Sequence, residues 1–189
     1  MKPQVKILDL LSALDSLKHL KRTGWVKMGV PEPETVACHM YRMAVLGMAL
    51  EHQIAGIDVT RVVRMSLVHD LAEAVVGDIT PHCGVSEEDK YRLELKGMQD
   101  ICGQVPLVGD DWLELWKEYE GQNTDTAKIV KHLDKFDMVA QALDYEFKYG
   151  IDLSQFFDST AGFFQIEPFI SWDREVRERR QLTESDKKQ

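Results

Sequence analysis

Residues 124–150 read TDTAKIVKHLDKFDMVAQALDYEFKYG, and within them Ile129, Leu133, Phe136, Ala140 and Leu143 recur in alternating steps of four and three. That spacing lines all five along one face of an α-helix and along no single face of a strand. Thr124 or Thr126 supplies an N-cap and Gly150 a stop. The same rhythm recurs outward from this segment. Leu8, Leu11, Leu14 and Leu17 stripe a first helix, which Thr23-Gly24 closes before Trp25. Residues 28–34, with Gly29, Pro31 and Pro33, form a loop, and Thr35 caps a second helix running to about His52. Gly56-Ile57-Asp58 turns the chain into a third helix expected as one piece over 60–76. A loop follows over 78–84, and Ser86 with Asp89 forms a capping-box signal for a fourth helix toward Ile101. Short helices are expected at 111–120, 152–159 and 168–180, before a frayed tail TESDKKQ. Val, Ile and Thr rarely alternate with polar residues over a strand's length. The pattern therefore predicts an all-α, single helical bundle over residues 1–180, with 181–189 a flexible C-terminal tail.

Composition narrows the function. The 189 residues carry 23 Lys and Arg against 32 Asp and Glu, a formal charge of −9, and 44% of them are apolar, enough for one cored domain. Such acidity argues against a partner that is a nucleic acid polymer. No apolar run approaches the roughly 20 residues a bilayer span needs, so no membrane partner is expected. The N-terminal MKPQVKILDLLSALDSLKHL reads as an amphipathic helix and not a signal peptide. Cys38, Cys83 and Cys102 form no CxxC and are odd in number, which predicts a reducing, cytoplasmic setting, with nuclear access left open. Six histidines in so acidic a chain call for a reason.

One reason stands at His69-Asp70-Leu71-Ala72-Glu73. About 0.5 His-Asp pairs are expected by chance, so the dipeptide alone is weak. On a continuous helix His69 and Glu73 would share a face and Asp70 would sit ~100° around, bordering the same cleft. His and carboxylate are also the ligands that intermediate divalent metals accept. His39, early in the second helix, and Asp134, beside Leu133 in the longest one, complete a plausible set. A carboxylate flanked by Leu133 and Phe136 is costly to bury unpaired, and a cation would offset that cost.

The order His39, His69-Asp70, Asp134 resembles the H…HD…D signature of HD-domain metal-dependent phosphohydrolases. Closer still, RTGWV at 22–26, ETVACHMYRMA ending at Ala44, LVHDLAEAVVGDITP at 67–81 and KHLDKFDM at 131–138 are similar to the HD-domain-containing 5′-deoxynucleotidases. DSTAGFF at 158–164 resembles their eukaryotic branch. The match spans roughly residues 5–180 with the motifs in order.

The resemblance implies a helical bundle, usually a homodimer, that hydrolyses deoxynucleoside 5′-monophosphates to deoxynucleoside and phosphate. It assigns His39, His69, Asp70 and Asp134 to a first divalent metal (cobalt, manganese, magnesium or zinc). Glu73 and Asp78 become the catalytic acidic residues, and with the Ile79 carbonyl they offer a second metal site. Arg22, Trp25 and the turn Asp78-Ile79-Thr80-Pro81 become substrate-binding residues. In bacterial members the arginine and tryptophan are adjacent, whereas Thr23-Gly24 separates them here. Relatives carry an acidic residue before the first histidine. Here it is Cys38, which removes the partner of a capping box with Thr35 and costs the helix start ~1 kcal/mol or less.

Plainer readings stand beside these. Arg22 could be a cation at the C-terminus of the first helix, Trp25 ordinary core, and Glu73 a neighbour of His69. His19, His52, His82 and His132 have no motif position and read as solvated. Tyr41-Arg42 reads as packing and surface, and the RERRQ run at 177–181 as a solvated helix end. Among rival activities, a di-iron oxygenase needs further histidines. A triphosphate site wants more basic residues than Arg22 and Lys27, a cyclic-nucleotide hydrolase is a close relative, and a catalytically silent helical module would not keep every ligand.

Overall fold

The computed structural model describes residues 4–186, apart from the side chains of His82 and of 183–186. Ten α-helices follow in order among the described residues: α1 (Ile7–His19), α2 (Thr23–Lys27), α3 (Val36–Ala49), α4 (Val59–Ser66), α5 (Glu73–Val76), α6 (Glu87–Cys102), α7 (Gly109–Gly121), α8 (Asp125–Tyr149), α9 (Ser154–Ser159) and α10 (Phe169–Asp186). The bundle is all-α, as its periodicity predicts. The only strand-like pairing among the described residues is an isolated antiparallel bridge between Lys21 and Thr35.

Local chemistry explains most boundaries. Thr35, Ser86 and Thr124 each accept a bond from a backbone N–H three residues on, the expected caps of α3, α6 and α8. Gln122 and Gly150 end α7 and α8 in the left-handed region. α8 is the central post, packed against α3, α4, α7, α9 and α10. Met43, Leu133, Met65, Met98 and Trp116 fill one core on this post, and Trp25, Val139, Leu153 and Phe157 fill a second. Where α3 crosses α4, a Cβ at Gly47 would stand 3.0 Å from a Val62 methyl, so the glycine allows the close approach.

Four expectations need correction. Thr23-Gly24 does not close the first helix: α1 ends at His19, and Thr23 opens α2, which holds Trp25. The expected helix over 60–76 is broken. After Ser66 the backbone tightens, with Val68 N bonding Met65 O, Leu71 N bonding Val68 O and Glu73 N bonding Asp70 O, before α5 starts at Glu73. His132 is buried, its ring packed among Phe163, Phe164 and Phe169, whereas His19 and His52 are exposed as expected; the side chain of His82 lies outside the described residues. Within the RERRQ run Glu178, Arg179 and Gln181 are exposed as expected, but the run is not the helix end, because α10 continues to Asp186. Arg180 pairs with Glu146 and stacks over Phe157, and Arg177 pairs with Asp173. No described helix is long and apolar enough to cross a membrane.

Candidate metal centre and active site

α3, the turn after α4, and α8 bring the motif residues to one point. His39, His69 and Asp70 each offer a ligand atom within 4.8 Å of the others. Asp70 Oδ2 lies 3.1 Å from His69 Nε2 and 3.8 Å from His39 Nε2. Asp134 joins from α8, its Oδ1 3.4 Å from His39 Nε2. The tightened turn, not a shared helix face, aims His69 and Asp70 together. Both imidazoles are oriented from behind: His69 Nδ1 donates to Ser66 O at 2.9 Å and His39 Nδ1 to Asp137 Oδ2 at 2.7 Å. These acceptors hold a proton on Nδ1 and leave each Nε2 lone pair facing the carboxylates.

The arrangement fits a divalent cation. Both Nε2 atoms are buried without a hydrogen-bond partner, and so is Glu73 Oε2. Orphaned buried polar atoms are rare and costly, and here the two Nε2 atoms meet beside the Asp70 and Asp134 carboxylates. Burial opposes ionisation of Asp70, yet His69 and His39 hold its pKa below the usual carboxylate range. For Asp134 burial is likewise outweighed, by Lys131 and His39. His39 is raised: burial and Arg22 oppose its charge, and Asp134 and Asp137 overcome them.

Glu73, at the start of α5, is buried nearby. Burial first, then Asp70 and Asp78, pushes its carboxyl well up. Gly77, at φ 79° and ψ 170°, turns the chain from Glu73 to Asp78. The Asp78 carboxylate accepts the Thr23 N–H at 2.6 Å, and its carbonyl accepts the Thr23 hydroxyl at 2.8 Å. The 78–81 turn is thereby tied to α2. Thr80 Oγ1 lies 3.4 Å from Lys27 Nζ, Ile79 is half-buried and Pro81 is exposed.

Arg22 stands at the N-terminal side of α2, which removes the reading of it as a helix C-terminal cation. Burial works against its charge, but Asp134, Asp70, Glu34 and Asp78 outweigh it and keep the guanidinium charged. Trp25 is 1% exposed, packs against Phe156 and Tyr145 and donates Nε1–H to Glu34 at 3.1 Å, which places it in the core beside Arg22. Cys38 is exposed and free, outside the His-Asp cluster.

Motif reading missed four neighbours. Tyr119 donates to Asp134 Oδ2 at 3.2 Å and meets the His69 ring edge-on, and Lys131 donates to Tyr119 at 3.0 Å. Glu34 and Arg42 back the site from the other side. Lys131 and Arg42 each lie three residues from a motif residue on the same helix, Asp134 and His39, and that spacing is the one signal the sequence carried. A cavity of about 620 Å³, lined by Lys128, Lys131, His132 and Phe163 among others, meets the cluster at Lys131.

With this geometry, the class follows. An HD-domain family model matches residues 14–168, and the chain belongs to that family. It is 43% identical over 176 residues to a Dictyostelium discoideum protein named 5′-deoxynucleotidase HDDC2, covering 87% of this chain and 93% of that one. It is 40% identical over 185 residues to 5′-deoxynucleotidase hdd1 of Schizosaccharomyces pombe, covering 94% and 91%. Among solved structures, a conserved hypothetical protein from Pyrococcus furiosus superposes with a TM-score of 0.75 at 31% identity, covering 90% of this chain and 99% of that one.

Proposed function

We propose that this chain is a divalent-metal-dependent 5′-deoxynucleotidase that hydrolyses deoxynucleoside 5′-monophosphates to deoxynucleoside and phosphate. The catalytic unit is the helical bundle, whose last helix α10 runs past residue 180 to Asp186, and it works as a cytoplasmic homodimer. One observation carries the reading. The unpartnered Nε2 atoms of His39 and His69 meet Asp70 where the half-buried, charged Arg22 also lies among the same carboxylates. A cation corner beside a guanidinium suits a phosphomonoester, which is anionic and resists attack at neutral pH. The similarity to proteins named 5′-deoxynucleotidase supports the substrate class.

His39, His69, Asp70 and Asp134 would hold the first ion, cobalt, manganese, magnesium or zinc, and Glu73, Asp78 and the Ile79 carbonyl a second. Bound there, a divalent cation supplies positive charge and makes water a much stronger acid. Arg22 grips the remaining phosphate oxygens in its planar fork. Glu73 or Asp78 takes the proton of the attacking water or gives one to the leaving 5′-oxygen. The turn 78–81 and Trp25 form the nucleoside-binding side of the site.

The test is phosphate release by purified protein from deoxy- and ribonucleoside monophosphates, with chelator or with added cobalt, manganese or magnesium. Metal-dependent release favouring the deoxy substrates is expected. Absence of release with every metal would overturn the reading.

A further inference from the structure

We propose that Arg42 is a positioning residue shared by the two halves of the site, a role that rests on the metal-dependent phosphatase reading above. Through Asp137 it orients the metal histidine His39, and through Glu34 it steadies Arg22 and Trp25 on the substrate side.

The metal-side half is a buried chain. Asp137 is completely buried, and a carboxylate there is costly unless it is paired. It is satisfied on two sides: Oδ2 takes the His39 Nδ1–H at 2.7 Å, and Oδ1 takes the Arg42 Nε–H. Arg42 Nη2 also donates to the Asp137 carbonyl at 3.1 Å, and Nη1 donates to Gln141 Oε1. Helix periodicity makes this possible. Arg42 follows His39 by three residues on α3, while Asp137 and Gln141 follow Asp134 by three and seven on α8. Each helix therefore shows its ligand and its buttress on one face.

The substrate-side half begins at the same guanidinium. Arg42 Nη2 lies 3.9 Å from Glu34 Oε2, whose side chain is itself largely buried. Glu34 Oε1 accepts from Trp25 Nε1 at 3.1 Å and lies 3.8 Å from Arg22 Nε. The backbone closes the unit, with Arg22 N donating to Glu34 O at 3.0 Å and Glu34 N donating to the Tyr145 hydroxyl at 2.7 Å. Serving three acceptors across the interface and facing a fourth suits a planar fork with five N–H donors. A lysine's compact ammonium cannot reproduce that geometry, so Arg42→Lys keeps the charge and loses the alignment.

The experiment compares wild type with Arg42→Lys and Glu34→Gln. Cobalt or manganese affinity is read by calorimetry, and kcat and KM are measured on a deoxynucleoside monophosphate. Arg42→Lys is expected to weaken metal binding about tenfold or more, the usual loss when an outer partner of a metal histidine is disturbed, and also to raise KM. Glu34→Gln is expected to raise KM several-fold with metal affinity within twofold of wild type. A purely packing role would lower the melting temperature without this division between metal affinity and KM. Wild-type metal affinity in Arg42→Lys, or wild-type KM in Glu34→Gln, overturns the proposal. Should Arg42→Lys fail to fold, Asp137→Asn carries the same metal measurement. If wild type binds metal but releases no phosphate, the phosphatase reading fails, while the calorimetry still decides the Arg42–Asp137–His39 half.

Discussion

Thr23 and Asp78, on separate elements, are joined twice: the Thr23 N–H donates to the Asp78 carboxylate at 2.6 Å and the Thr23 hydroxyl to the Asp78 carbonyl at 2.8 Å. The first bond satisfies an orphan N–H at the start of α2, and the second pins the 78–81 turn. Thr23→Val keeps the first and deletes the second. It should cost about 1 kcal/mol and raise the KM for a deoxynucleoside monophosphate several-fold, while metal affinity stays unchanged. Unaltered KM would show that the turn holds itself in place.

The buried, unpartnered Nε2 atoms predict stabilisation by metal. A ligand that binds only the folded state at 100 times its Kd adds about 2.7 kcal/mol, several degrees of melting temperature for a domain this size. Cobalt or manganese should therefore raise the melting temperature relative to chelator, and His69→Ala should abolish the shift and turnover together. An equal shift in the mutant would place the ion elsewhere.

Glu94, beside Lys90 on α6, predicts a pH effect. Burial, then Glu120 and Asp70, raise its pKa to about 7 against the pull of Lys90, which lies 3.5 Å away. The folded state thus binds this proton more tightly than the unfolded chain, whose carboxyl titrates near 4.5. The resulting stability is fully present below the unfolded value and is lost as pH rises toward 7. Glu94→Gln removes the titration. Its melting temperature relative to wild type should increase from pH 5 to pH 8 in chelator. A difference independent of pH would refute the assignment.

Gly77 occupies a region of backbone space that is essentially restricted to glycine, and a Cβ there would meet nothing within 4 Å. The penalty of Gly77→Ala is therefore conformational and should be about 1–3 kcal/mol. Because the residue joins Glu73 to Asp78, kcat should fall more than the lost stability explains at temperatures where the variant stays folded. Full kcat in the folded variant would mean that the turn tolerates a shift.

How much of this was legible in the sequence depends on how local each feature is. The caps at Thr35, Ser86 and Thr124 and the stripe on α8 were readable, because a side chain bonding three residues ahead, or falling on every third or fourth position, is a property of the chain's own geometry. The expected 60–76 helix failed for the opposite reason. LVHDLAEAVV contains no Gly or Pro to announce a break, and the break aims His69 and Asp70 at residues far away in the chain.

By itself the sequence determined an all-α bundle, an HD-domain signature, and the order His39, His69-Asp70, Asp134 that matches the family's motif. Tertiary structure alone decided how those side chains are held. Arg42, read as packing and surface, became the partner of a fully buried Asp137. Trp25 packs against Phe156 and Tyr145, and Glu34 came to lie beside Arg22. The Arg42–Asp137 pairing depends on which residues of α3 and α8 meet and on how much water their contact excludes. It and the Trp25 contacts join positions about a hundred residues apart, where helical periodicity carries no information.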